Sequence, residues 1–218
     1  MPPQDLSFAH RFVAGTDPSA PALLLLHGTG GNEDDLLPLG PMLWPGAAML
    51  SPRGQVLERG MPRFFRRLAE GVFDLEDLRR RTDDLAAFVG AASERYGLSR
   101  DRLVAVGYSN GANIAASVLL LRPETLTRAV LWRAQVPIEP EGAPDLSGHD
   151  VFITAGVRDP LIPRAGTERL QAVLQASGAS VQVSWLDTGH ELTRTDIDQA
   201  RTWLADRLGS PSRENRSE

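Results

Sequence analysis

Ser109 is the side chain in this sequence best placed to attack a carbonyl. It sits in Gly107-Tyr108-Ser109-Asn110-Gly111, after the apolar run Leu103-Val104-Ala105-Val106 and before residues 112–121, which read as helix. A hydroxyl attacks only when it stands clear of the backbone, which demands a very tight strand-to-helix turn. Side chains two residues before or after the serine would strike the strand or the helix, so glycine fits both places. The helix behind the serine offers free N–H groups to a developing negative charge. The pattern is short, and its weight comes from the strand–turn–helix context around it.

Such a serine needs a base, the base needs an orienting acid, and the oxyanion needs two fixed N–H donors. Those groups must be delivered by other elements. Short apolar runs occur at residues 23–26, 47–50, 103–106, 129–132, 151–154 and 181–186. They are continuous rather than alternating, which predicts strands buried on both faces, as in a parallel sheet. Leu75, Leu78, Leu85, Val89, Ala92 and Tyr96 keep helical spacing across residues 73–96, residues 165–177 form another candidate helix, and Ile197, Ala200, Leu204 and Leu208 mark a last one. Strand–helix alternation predicts an α/β fold, a mostly parallel central sheet with helices on both faces. Residues 6–13 are expected to add an antiparallel edge strand. Residues 210–218 carry no large apolar side chain and are expected to be a disordered tail, leaving 1–209 as one domain.

In α/β-hydrolases, where this elbow is found, the partners follow in the order serine, acid, histidine. Of the four histidines, His10 and His27 precede Ser109, and His149 comes just before a strand, at the wrong end of the sheet. His190 follows the last strand, in Asp187-Thr188-Gly189-His190-Glu191, at the carboxyl edge where open α/β sheets assemble their sites. Asp159 likewise follows the 151–154 run, between serine and histidine. Asp145 and Asp150 precede that run, and Asp187 is too near His190 to belong to a separate loop. The reading is a Ser109–His190–Asp159 triad. One oxyanion donor is expected from the backbone N–H of Asn110, directly after the nucleophile. Thr29 is expected to give the other, from the loop His27-Gly28-Thr29-Gly30-Gly31 after the 23–26 run. That loop matches neither the dinucleotide nor the P-loop pattern. His27 is expected to support the loop by hydrogen bonding. Gly30, Phe64, Phe65 and Trp132, with Met61, are candidates to contact substrate, although large apolar residues are more often core.

Composition narrows the classes. The chain has 218 residues, 42% of them hydrophobic, which is enough for one full core. A net charge of −5 argues against nucleic acid as a partner. All 23 basic residues are Arg, so Schiff-base lysine chemistry is excluded. Cys is absent, and with it disulfides and thiolate nucleophiles. No His-x-x-x-His spacing suggests a metal. No signal peptide and no apolar stretch of membrane-spanning length are visible, and a cytoplasmic location is the expectation.

Four segments in order resemble the phospholipase/carboxylesterase family of α/β-hydrolases, which includes acyl-protein thioesterases. They are Leu26-His27-Gly28-Thr29-Gly30-Gly31-Asn32-Glu33, Gly107-Tyr108-Ser109-Asn110-Gly111-Ala112-Asn113, Gly156-Val157-Arg158-Asp159-Pro160 with Ile162-Pro163, and Gly189-His190-Glu191-Leu192. The likeness is to small bacterial carboxylesterases with a His-Gly-Thr-Gly-Gly loop and extends from about Ala22 to Leu208. It implies a serine hydrolase with little or no lid, acting without a cofactor on small-molecule carboxylic esters of short to medium acyl chains. Homodimers are common in that family. Acyl-protein thioesterases carry Gln after the serine where this chain has Asn110, which weakens protein depalmitoylation as a reading. A lysophospholipase or acyl thioesterase with the same triad is the alternative within enzymes, and a non-catalytic binding protein is the alternative outside them.

Overall fold

A computed structural model describes residues 6–209; the expected tail at 210–218 lies outside the described residues. Seven strands build the main sheet. They are β1 (His10–Val13), β2 (Ala22–Leu26), β3 (Ala48–Pro52), β8 (Leu103–Tyr108), β9 (Arg128–Trp132), β10 (Asp150–Gly156) and β11 (Ser180–Leu186). Their order across the sheet is β1-β3-β2-β8-β9-β10-β11, with β1 antiparallel to β3 and every other neighbouring pair parallel. The chain runs from β2 outward to β3, then returns past β2 to lay down β8. The direction of winding therefore reverses between β2 and β8, and open α/β sheets place their ligands in the crevice at such a point. The glycine loop leaves β2 there, and the serine turn leaves β8 beside it.

Continuous apolar runs become strands because each face of the sheet is covered. In β2, Leu24 and Leu26 join the cluster under α2 (Leu75–Tyr96), α3 (Asn110–Leu121) and α4 (Arg164–Ala176). Leu23 and Leu25 point the other way, into the cluster with α5 (Arg194–Leu208) and its Trp203 and Leu204. All four leucines are fully buried, each stabilising the fold by roughly 1.5–3 kcal/mol relative to exposure.

Helix ends are fixed locally. The Asp74 side chain accepts from the Asp77 N–H at the start of α2, and Gly97 ends that helix with φ of 66°. Thr193 and Asp196 form a reciprocal capping box that starts α5 directly after the His190 loop.

Between β3 and α2 lie two small antiparallel hairpins. One pairs β4 (Val56–Glu58) with β5 (Met61–Arg63), turning at Arg59-Gly60, where both residues have positive φ. The other pairs β6 (Arg67–Ala69) with β7 (Val72–Phe73). The short helix α1 (Gly40–Leu43) precedes β3. Among the described residues, no helix is long and apolar enough to cross a membrane.

Two contacts set the crevice and generate measurable expectations. A Cβ on Gly111 would lie 2.0 Å from the Leu26 carbonyl oxygen and 2.6 Å from that of His27. Gly111→Ala is therefore expected to destabilise the protein by about 1–3 kcal/mol or more, read as a lower denaturation midpoint. Glu33, in the loop after β2, takes two hydrogen bonds from Arg53 at 2.5 and 2.6 Å, tying that loop to the residue after β3. These bonds hold the Glu33 carboxyl at about 2. A carboxyl depressed in the folded state stabilises above its unfolded pKa of about 4.3 and loses that contribution as pH falls towards 2. The melting-temperature gap between wild type and Glu33→Gln should be widest near neutral pH and close across that window.

Candidate active site

The turn at Ser109 is as tight as its glycines suggest. Ser109 holds φ 53° and ψ −111°, a region that non-glycine residues occupy at a cost of order 1–3 kcal/mol. It is kept there by its N–H donating to the Trp132 carbonyl at 2.9 Å and its own carbonyl accepting from the Asn113 N–H at 2.9 Å. A Cβ on Gly107 would meet the backbone of Gly111 and Ala112 at 2.6–2.7 Å. The hydroxyl therefore stands at the start of α3 with nowhere to go but out of the sheet edge.

Asp159 and His190 arrive from the loops after the last two parallel strands, β10 and β11. β10 ends at Gly156, and a side chain there would collide with the Gly189 carbonyl at 2.2 Å. This close approach lets the loop after β11 lie directly on the loop after β10. His190 Nδ1 lies 2.8 Å from Asp159 Oδ2, and His190 Nε2 lies 3.0 Å from Ser109 Oγ. A carboxylate only accepts, so Nδ1 carries the proton and Nε2 is left to accept from the serine hydroxyl. Asp159 Oδ1 is occupied by the N–H groups of Leu161 and Ile162 at 2.8 and 3.0 Å, which leaves Oδ2 for the imidazole. The Asp159 side chain is 1% exposed and that of His190 17%. Tyr108 donates its hydroxyl to the His190 carbonyl at 3.0 Å, and burial pushes its own pKa up.

The other histidines serve elsewhere. His27 accepts from the Gly54 N–H at Nε2 (2.9 Å), so its Nδ1 donates to the Gly28 carbonyl (2.7 Å) and it braces the glycine loop. Burial pushes its pKa down, consistent with that neutral role. His10 contacts Tyr96, and His149 contacts the Pro123 carbonyl.

Ser109, Asn110, Thr29 and His190 all line one cleft of about 310 Å³. The Asn110 N–H is at the first position of α3, where no intrahelical carbonyl can reach it. Thr29 is set by its Oγ1, which accepts from Arg63 Nη1 at 2.6 Å. Arg63 is itself buried, and its pKa is pushed down by that burial and by Arg67 nearby. Phe73, Leu161 and Ile162 give the cleft an apolar wall, while Arg63, Arg67, Asn113 and Gln135 give it a polar one. Among the described residues, no group of three or more His, Cys, Asp or Glu side chains could hold a metal.

The expected substrate contacts require correction. Phe64, Phe65 and Trp132 are 2%, 0% and 0% exposed and do not line the cleft. Phe64 packs on His27 and gives its N–H to Asn110 Oδ1 at 2.7 Å, while Phe65 meets Phe73 edge-on. Trp132 lies in the core on the α5 side of the sheet. These aromatics hold the site from behind because the surrounding helices bury their rings. Gly30 also lies off the cleft: its N–H donates to the Pro62 carbonyl at 2.9 Å, and Met61 packs over it. The residues that do line the cleft beside the serine include Tyr108, inside the motif itself, and Leu161-Ile162, directly after Asp159-Pro160. Arg63 and Arg67 come from the hairpins, which carry no periodic signal.

Comparison with known proteins places this geometry. A model of the dienelactone hydrolase family matches residues 14–203. MhqD of Bacillus subtilis (strain 168) is 50% identical over 199 residues, covering 91% of this chain and 98% of that protein. The structure of the Bacillus cereus carboxylesterase is similar with a TM-score of 0.89 and 48% identity, over 93% of this chain and 95% of that one. A Mesorhizobium loti carboxylesterase gives 0.88 at 33% identity, over 93% and 96% of the two chains. These neighbours agree with the carboxylesterase resemblance of the sequence. With a parallel sheet whose winding reverses beside the serine turn, the chain has the α/β-hydrolase fold, is an esterase-type hydrolase, and belongs to the dienelactone hydrolase family.

Proposed function

We propose that the protein is a serine carboxylesterase that cleaves small carboxylic esters through Ser109, His190 and Asp159. The observation that carries this reading is the imidazole of His190, which bridges Ser109 Oγ at 3.0 Å and Asp159 Oδ2 at 2.8 Å. In the acylation step, Ser109 Oγ attacks the ester carbonyl while His190 Nε2 takes its proton. The imidazolium that forms is stabilised by Asp159 and returns the proton to the leaving alcohol. The oxyanion is received by the backbone N–H groups of Thr29 and Asn110. Water, activated by the same imidazole, then releases the acid from the acyl-enzyme and restores the hydroxyl.

A cleft of about 310 Å³ with one apolar wall suits a short to medium acyl chain. A second reading, lysophospholipase or acyl thioesterase activity, is favoured by one feature. A groove of about 580 Å³ shares Thr29 and Tyr108 with the cleft and is lined by Leu36, Leu39, Leu192 and Ile197. Hydrolysis rates across p-nitrophenyl esters of increasing length separate the two: a peak at short chains supports the first, and a steady rise to long chains the second.

A fluorophosphonate probe should label the wild type at Ser109 and leave Ser109→Ala unlabelled; an unlabelled wild type would favour a non-catalytic binding protein. His190→Ala should lower kcat on a short p-nitrophenyl ester by about three orders of magnitude or more, with the circular dichroism spectrum unchanged. Near-normal turnover by that variant would mean a different base.

A further inference from the structure

Arg133 is the most unusual charged residue in the molecule. It follows β9 directly, has a positive φ of 58°, and is 0% exposed. A buried guanidinium is costly unless its donors are met, and here all five N–H groups are. Nε donates to the Gly189 carbonyl at 3.1 Å and Nη2 to the Glu191 carbonyl at 2.7 Å. Nη1 and Nη2 also clasp the two oxygens of Asp196, at 2.7 and 2.9 Å, and Nη1 reaches Thr154 Oγ1 at 2.9 Å. The backbone N–H of Arg133 donates to the Thr154 carbonyl at 2.9 Å.

Gly189 and Glu191 are the residues on either side of His190, so one side chain grips the base's loop by both flanking carbonyls. The same residue is anchored to β10, which leads to Asp159, and it follows Trp132, whose carbonyl receives the Ser109 N–H. From these contacts we infer that Arg133 is a positioning residue, holding the imidazole of His190 between Ser109 and Asp159, with Asp196 cancelling its charge. The inference rests on the reading of His190 as the general base.

Asp196 has a second part in this arrangement. Burial pushes its carboxyl up, but the hydrogen bonds from Arg133, Thr154 and Thr193 prevail and hold it below its usual range. It is therefore an anion that neutralises the guanidinium beside the imidazole, as well as the cap of α5. The charged and titratable groups facing His190 are Asp159 at Nδ1, Tyr108 at its carbonyl, Glu191 next in the loop, and the Arg133–Asp196 pair behind it. Glu191 is itself held at about 2 by the Thr188 hydroxyl and nearby backbone N–H groups, so it stays charged throughout the working range.

The test uses two variants of the full chain, with active sites counted by the fluorophosphonate probe. Arg133→Lys keeps the charge but cannot reach five acceptors. It should lower kcat and the rate of probe labelling together by about 10–100-fold, with KM changed less than about threefold. A purely structural role would lower the melting temperature and the number of active sites while leaving kcat per site intact, and that result overturns the inference. Asp196→Asn leaves the guanidinium uncancelled, which disfavours the imidazolium and should move the acid limb of kcat/KM to lower pH by about one unit. An acid limb that stays in place overturns it too, even where Arg133→Lys does not fold. A wild type that the probe fails to label would instead end the esterase reading itself, so the two failures are distinguishable.

Discussion

The backbone of α3 starts so close to the end of β2 that no side chain fits between them. Gly111 makes that approach, with the carbonyls of Leu26 and His27 where its Cβ would be. The serine's place beside the glycine loop follows from it. The serine turn is forced into positive φ, and Ser109 and Asn110 come to line the same cleft as Thr29. A helix one methyl group farther away would draw Ser109 back from the glycine loop.

The remaining geometry is imposed by main-chain atoms more than by side chains. Asp159 is aimed by two backbone N–H groups on Oδ1, and the His190 loop is held through its carbonyls by Tyr108 and Arg133. Gly156 permits the two loops to touch. The side chains of the proposed triad are thus carried by a frame of satisfied backbone groups, backed by the fully buried Arg133–Asp196 pair. In such a setting each hydrogen bond is stronger than in solvent, and each missing one is more costly.

Much of this was legible in the sequence, for identifiable reasons. The central strands of the main sheet announce themselves because both faces are covered, so Leu23 to Leu26 must all be apolar; the edge strands β1 and β11 are only partly covered. Ser109, Asp159 and His190 stand out because chain order and position after a strand leave few alternatives. The aromatic residues were misleading: Phe64, Phe65 and Trp132 could be assigned to cleft or core only by knowing what packs over them. The hairpins between Val56 and Phe73 escaped because they are short, their register is held by local turns, and the ion pair of Arg67 with Glu58 ties one hairpin to the other. Arg133 escaped for a related reason. A charged residue reads as surface until its counter-ion is seen, and Asp196 lies 63 positions further along.

The winding of the sheet also separates the proposed chemistry along the chain. The groups proposed to meet the ester carbonyl, Thr29, Ser109 and Asn110, are all in place by the middle of the chain; those proposed to move the proton, Asp159 and His190, belong to its last third. On a ribosome, the proposed nucleophile emerges long before its proposed base. By that proposal a stalled or clipped nascent chain carries an inert alcohol, and hydrolytic power arises only after β11 and the His190 loop that follows it.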